Sequence, residues 1–98
     1  MNNEKLTIFY LIAQYIPNEY RIKFLEKLLE VYGSIYRLSK VTKISRPTLY
    51  RYFIHKKGYP NDIIMAEIIR HLVEVRRTWT KEQLKQLARD FNELVNKI

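Results

Sequence analysis

Arginine and tyrosine side chains recur at helical spacing in one short central segment, LSKVTKISRPTLYRYF (residues 38–53), which contains no acid. Arg46 and Tyr50 are four residues apart, as are Pro47 and Arg51, so in a helix these residues project from one side. A guanidinium group can form paired hydrogen bonds with a phosphate or a guanine edge, and a tyrosine can reach phosphate or pack on a thymine methyl group. The segment therefore has the chemistry needed to contact a nucleic acid.

The positive charge of the chain is concentrated around this segment. The 98 residues carry a formal net charge of +8, and residues 31–61 hold seven basic residues and no acid. The remaining residues hold 18 − 7 = 11 basic and 10 acidic residues, a net charge of +1. An ordinary solvated surface mixes both signs, so this block indicates a polyanionic partner, either nucleic acid or an anionic membrane surface.

Apolar spacing and capping residues predict an all-α protein with about six helices. The first three predicted helices run from Asn2 or Asn3 to before Pro17, from an Asn18 cap to Gly33, and from Ser34 to about Thr42. The fourth begins at a Ser45 cap with Pro47 in its first turn, and the fifth runs from an Asn61 cap to the Arg76–Arg77 pair. The sixth begins at Thr80, where Gln83 completes a capping-box pattern. Residues 56–61 (KKGYPN) are the predicted loop before the fifth helix.

The central segment has the packing pattern of two short helices joined by a tight turn. Leu38 fits the packed side of the first helix, Ile44 anchors the turn, and Leu49, Tyr52 and Phe53 share the inward side of the second helix. The basic and aromatic residues are left on the outward side. This is the pattern that a helix-turn-helix requires, with one face on the core and the other on DNA.

Residues 34–53 resemble the helix-turn-helix superfamily of DNA-binding proteins. TLYRYF is similar to the recognition helix of TetR-type repressors, and HKKGYPNDIIMAEIIRHL looks more like Cro-type regulators and archaeal integrase DNA-binding segments. The chain as a whole is similar to small archaeal plasmid or viral DNA-binding proteins. The resemblance implies DNA-facing positions at Ser45, Arg46, Pro47, Thr48, Tyr50 and Arg51, and packing positions at Leu38, Ile44, Leu49 and Tyr52. The superfamily usually has glycine in the turn where this chain has Lys43, and lysine tolerates left-handed backbone less well, so we expect a slightly altered turn.

Further residues beside this segment are candidates for DNA contact: Arg37, Lys40, Lys43, His55, Lys56 and Lys57. Tyr50 is predicted to be functional, whereas Tyr32, Tyr36, Tyr52 and His71 are predicted to pack. The chain has no cysteine, no histidine cluster, no glycine-rich phosphate loop and no nucleophile elbow. We therefore expect neither an enzyme nor a metal or other cofactor.

The two ends of the chain carry apolar stripes that predict assembly. Leu84, Leu87, Phe91, Leu94 and Ile98 are spaced alternately three and four residues apart, as in a coiled coil. The run LTIFYLIA (residues 6–13) is too short to span a bilayer and is predicted to be a buried helix rather than a signal sequence. The expected homodimer would use Leu6, Phe9, Leu84, Leu87, Phe91 and Leu94, although part of the last stripe should cover the protein's own core.

The sequence predicts one helix-turn-helix DNA-binding domain over residues 1–98, with N-terminal helices in 1–33, the helix-turn-helix in 34–55 and C-terminal helices in 61–98. Its expected function is sequence-specific binding of double-stranded DNA as a dimeric transcriptional regulator, typically a repressor, in the cytoplasm and associated with a nucleoid or plasmid. One alternative is a centromere-binding or spreading adaptor in plasmid DNA segregation, whose terminal helices bind a partner protein. The other is a basic protein on an anionic membrane surface, which is disfavoured because the charge follows the helix-turn-helix rather than a single amphipathic helix.

Overall fold

The computed structural model describes residues 3–98, with side chains from Thr7 onward. Within this range the chain forms six helices and no strand, which confirms the predicted all-α class. The helices are α1 (Asn3–Gln14), α2 (Asn18–Tyr32), α3 (Ile35–Thr42), α4 (Arg46–Phe53), α5 (Asp62–Val75) and α6 (Arg77–Asn96).

Helix α5 is the centre of the core. Its Met65, Ile68, Ile69 and Leu72 are fully buried, and α1, α2, α3 and α6 all pack against it. Helix α4 packs on α3, and its Leu49 and Tyr52 belong to the buried core. The α3–α4 pair is therefore supported from one side by the core.

The predicted helix caps at Ser45 and Asn61 are confirmed, and Ser34, predicted as the first residue of the third helix, is its capping residue. The side chains of Ser34, Ser45 and Asn61 each accept a hydrogen bond from the backbone N–H three residues later, at the start of α3, α4 and α5. Each cap satisfies one of the N–H groups that lack a partner in the first turn of a helix. Pro47 lies in the first turn of α4, as predicted, and residues 56–61 form a loop.

The predicted start of the second helix is wrong by one residue. Pro17, not Asn18, is the capping residue of α2. The Pro17 carbonyl accepts hydrogen bonds from the N–H groups of Tyr20 and Arg21, at 3.0 and 3.1 Å. Asn18 is therefore already the first helical residue, because the extended backbone of Pro17 places its carbonyl at the helix start.

The predicted start of the last helix at Thr80 is also wrong, since α6 begins at Arg77. Thr80 is fully buried, and its hydroxyl donates to the Arg76 carbonyl at 2.7 Å. The ring of the preceding Trp79 meets Phe24 edge to face, with centroids 5.6 Å apart. Contacts of these two side chains with the core extend the helix toward its N-terminus, so the capping-box pattern does not act as a cap.

Helix α1 is buried on one side only, which corrects the prediction of a buried helix. Ala13 is fully buried, whereas Ile8 and Leu11 are 53% and 50% exposed. The physical reason is that α1 packs mainly on α5, and one neighbouring helix covers only one face. Its apolar outer side remains accessible.

Candidate nucleic-acid interface

Helices α3 and α4 are joined by a tight turn at residues 43–45, and Lys43 adopts a left-handed conformation there, with φ of 64°. Thr42 holds this turn: its hydroxyl donates to the Leu38 carbonyl at 2.7 Å and accepts the Ile44 N–H at 3.2 Å. The Lys43 N–H donates to the Ser39 carbonyl at 2.9 Å. Lys43 thus takes a conformation usually occupied by glycine. The buried Thr42 stabilises the turn through hydrogen bonds to backbone groups before and after Lys43.

The predicted packing residues of the two helices are confirmed. Leu38 and Leu49 are fully buried, and Ile44 and Tyr52 are 7% and 3% exposed. On the opposite side, Ser45, Arg46, Pro47, Tyr50 and Arg51 are exposed. Thr48 is half-buried, and its hydroxyl lies 2.7 Å from that of Ser45, so this residue contributes more to the start of α4 than to its outer surface.

The seven cations of the central block form an exposed surface, which we call the basic face: Arg37, Lys40, Lys43, Arg46, Arg51, Lys56 and Lys57. Among the residues that the structure describes, none of the seven has a carboxylate within ion-pair distance. Arg70 on α5 shows the contrast, because it lies 2.9 Å from Glu67 and 3.5 Å from Glu74. The basic face therefore retains its full positive potential toward solvent.

Tyr36 organises one end of the basic face. Its ring lies 5.4 Å from the Lys40 ammonium and 5.5 Å from the Arg46 guanidinium, distances at which cations are attracted to an aromatic ring. Tyr36, Ser39, Lys40, Lys43 and Arg46 line a shallow hollow. The sequence predicts core or rim packing for Tyr36, and the structure excludes the core: its side chain is 53% exposed, because it lies on the outer side of α3.

Arg51, the other arginine of α4, also lies over a tyrosine ring. The Arg51 guanidinium lies 5.3 Å from the ring of Tyr52. The loop after α4 folds back to this point, since the Lys57 N–H donates to the Arg51 carbonyl at 2.9 Å. Lys56, with φ of 55°, and Lys57 are thereby held beside α4. His55 is exposed just beyond the end of the helix.

Arg21, which the sequence patterns did not single out, fixes this loop to the core. Its guanidinium donates to the carbonyls of Ile16, Pro60 and Ala13, each at 2.8 Å, and to the Asp62 carboxylate at 2.7 Å. The residue is only 8% exposed. One side chain therefore joins the end of α1, the loop after α4 and the start of α5. An arginine in an amphipathic helix looks like a solvated residue, and no local pattern indicates otherwise.

His71 packs in the interior, as predicted, at 6% exposure. Its Nε2 lies 3.1 Å from a guanidinium nitrogen of Arg70 and 3.7 Å from a carboxylate oxygen of Glu67. Burial lowers the pKa of His71 below its usual value, and the charge of Arg70 lowers it further, against the opposing effect of Glu67 and Glu74. The described residues contain no group of three or more side chains that could hold a metal ion.

The residues predicted for dimerisation divide into two sets. Phe9, Leu84 and Leu87 are half-buried against the protein's own core, whereas Phe91 and Leu94 are 69% and 60% exposed. The side chain of Leu6 lies outside the described residues. Between the C-terminal end of α1 and the middle of α6 is an apolar hollow of about 520 Å³, which we call the terminal groove; it is lined by Ile12, Tyr15, Ile16, Leu84, Leu87, Ala88 and Phe91.

Comparison of the chain with models of protein families, with curated proteins and with solved structures gave no match. None of the described helices combines the length and the apolar character needed to cross a membrane.

Proposed function

We propose that this protein binds double-stranded DNA, with α4 as the recognition helix in the major groove and α3 across the phosphate backbone, as in the helix-turn-helix class. The observation that carries the proposal is the basic face: seven exposed cations on a helix pair and its flanking loop, with no carboxylate beside them in the described structure. Duplex DNA presents one phosphate charge per about 1.7 Å of helix axis, and cations without a carboxylate partner are available to neutralise it.

The backbone of two lysines supports the same proposal. Lys43 and Lys56 are the described non-glycine residues with positive φ, at 64° and 55°. Left-handed backbone costs a residue with a Cβ atom about 1–2 kcal/mol, and glycine would avoid that cost. Both strained positions carry a cation on the basic face. A contribution of these ammonium groups to binding is a physical reason for keeping lysine there.

We further propose that two copies bind together through their terminal helices. Phe91 and Leu94 are exposed beside the terminal groove, and burying them against a second copy would remove apolar surface from water. Residues 88–98 hold two basic and two acidic residues, so this end is neutral although the whole chain carries +8. A second copy can therefore approach here without the repulsion that opposes contact between basic faces. A dimer would place two recognition helices on two half-sites about one DNA turn apart.

Selection from random duplex DNA at near-physiological salt, followed by footprinting of the enriched sequence, tests this function. We expect an inverted repeat, protected over one short site, which is the behaviour of a dimeric transcriptional regulator. Protection that extends outward as protein is added would instead favour the role in DNA segregation. Failure to enrich any sequence would contradict sequence-specific binding by α4.

A further inference from the structure

An apolar row crosses the exposed side of α4. Pro47, Tyr50 and Ile54 are spaced three and four residues apart and share one face of the helix. Tyr50 is 45% and Ile54 is 61% exposed. The Ile54 N–H donates to the Tyr50 carbonyl at 2.8 Å, so the helical register continues through Ile54. The row is about 10 Å long, which corresponds to roughly three base steps of duplex DNA.

The two arginines of α4 are held away from this row, one on each side. Arg46 lies over the ring of Tyr36 on α3, and Arg51 lies over the ring of Tyr52 beside the loop. A guanidinium group attracted to the face of a ring still has N–H groups that can donate hydrogen bonds. Each arginine therefore lies at the border of the helix rather than along its outer centre, with N–H groups available to donate.

The surroundings of Arg46 favour a phosphate as its partner. Lys40 approaches the same Tyr36 ring, at 5.4 Å, and Lys43 lines the same hollow. Three cations close to one another repel, and an anion between them removes that repulsion. A backbone phosphate supplies such an anion at every nucleotide, whereas a guanine edge offers only neutral acceptors.

We infer that the apolar row recognises the C5-methyl groups of thymine in the major groove, while Arg46 and Arg51 bind phosphates on either side of it. This inference rests on the proposed function. The thymine methyl is the one apolar group that a base pair presents in the major groove. Pro47 and Ile54 have no side-chain hydrogen-bonding group and Tyr50 has a single hydroxyl, so the row matches methyl groups better than donor–acceptor patterns. Tyr50 and Ile54 are the residues that determine specificity.

Replacing thymine by deoxyuridine provides the test, because it removes the methyl group and leaves the charge and the hydrogen-bonding edges of the duplex unchanged. The probes are an alternating adenine–thymine duplex and its adenine–uracil counterpart, each titrated with the full chain. We expect weaker binding of the uracil duplex, by about fourfold for each methyl group contacted. Equal binding of the two duplexes by the wild-type protein would overturn the inference without affecting the proposed function.

Variants test which residues recognise the thymine methyl groups and which bind phosphate. Tyr50→Ala and Ile54→Ala should each reduce the difference between the thymine and uracil duplexes. Arg46→Ala and Arg51→Ala should weaken binding of both duplexes by the same factor and preserve the difference. Thermal melting checks that each variant is folded. Loss of the thymine preference in the arginine variants, with its retention in the Tyr50 and Ile54 variants, would contradict the assignment. Binding of neither duplex by the wild-type protein would overturn the proposed function and the inference together.

Discussion

Lys43 combines an unfavourable backbone conformation with a charge on the basic face. Its φ of 64° is a conformation in which glycine is more stable than any residue with a Cβ atom. The adjacent Thr42 compensates by bonding to the backbone on both sides of the turn. We therefore expect Lys43 to lower the stability of the fold and to strengthen DNA binding.

Replacing Lys43 by glycine tests both effects, on stability and on DNA binding. We expect Lys43→Gly to raise the free energy of unfolding by about 1 kcal/mol relative to Lys43→Ala, because alanine keeps the Cβ atom that disfavours the conformation. Both variants should weaken DNA binding by the loss of one cation. Urea denaturation and DNA titration of the two variants measure these effects. A glycine variant no more stable than the alanine variant would contradict this account of the turn.

His71 makes stability depend on pH. Because its folded-state pKa is lowered by burial and by Arg70, the unfolded chain binds the proton more readily than the folded protein. Stability is therefore highest above the unfolded pKa of about 6.5 and falls as the pH drops below it. We expect the melting temperature of the wild-type protein to fall more between about pH 7 and pH 5 than that of His71→Gln.

His55→Gln, at an exposed position, is the matched control and should keep the wild-type pH dependence. Identical pH profiles for His71→Gln and the wild-type protein would show that His71 does not contribute to the acid sensitivity.

At the scale of helices and loops, Arg21 joins elements that are distant in sequence. Replacing it by methionine, which retains much of the apolar volume, leaves the carbonyls of Ala13, Ile16 and Pro60 without this donor. We expect Arg21→Met to lower the free energy of unfolding by about 3 kcal/mol, because several buried carbonyls lose a charged donor. Lys23→Met, at an exposed position on the same helix, should change it little. Equal denaturation midpoints for the two variants would contradict the role assigned to Arg21.

The sequence was sufficient for features that depend on neighbouring residues. The caps at Ser45 and Asn61 were predictable, because a capping side chain bonds to a backbone group three residues away. Thr80 and Gln83 had the same local pattern and failed, because contacts of Trp79 and Thr80 with the core determine where α6 begins. Tertiary contacts decided that position.

Contacts between distant residues were not visible in the sequence. The four-residue spacing of Tyr36 and Lys40 allowed their contact to be foreseen, but nothing local indicated that Arg46, on the next helix, would share the same ring. The bonds of Arg21 to Pro60 and Asp62 are likewise set by the packing of the helices. The basic face itself was predictable, since it follows from the charge of one continuous segment.

At the scale of the whole molecule, two separate surfaces have the two proposed roles. The basic face would contact DNA, and the neutral C-terminal end of α6 would form the dimer. Replacing both Phe91 and Leu94 by glutamate should halve the mass measured by light scattering, because it places charge on the surface that the second copy would bury. The melting temperature of the separated chain should change little, since both side chains are exposed. Asn92→Glu, at an exposed position on the same end of α6, should leave the mass unchanged.

A wild-type protein that is monomeric at the concentrations used for DNA binding would contradict the proposed dimer. The basic face could still bind DNA in that case, with one half-site per chain.

The salt dependence of DNA binding tests the central claim most directly. Lys40 and Lys23 form a matched pair, since each ammonium lies beside a tyrosine ring, at 5.4 Å for Lys40 with Tyr36 and 5.3 Å for Lys23 with Tyr20, but only Lys40 belongs to the basic face. Fluorescence anisotropy with a labelled duplex would give the affinity of the wild-type protein, Lys40→Ala and Lys23→Ala at several salt concentrations. We predict that Lys40→Ala reduces the magnitude of the slope of log affinity against log salt by about 0.9 for each chain bound, whereas Lys23→Ala leaves it unchanged. Equal slopes for the two variants, or no binding by the wild-type protein, would contradict the claim that the basic face is a DNA-binding surface.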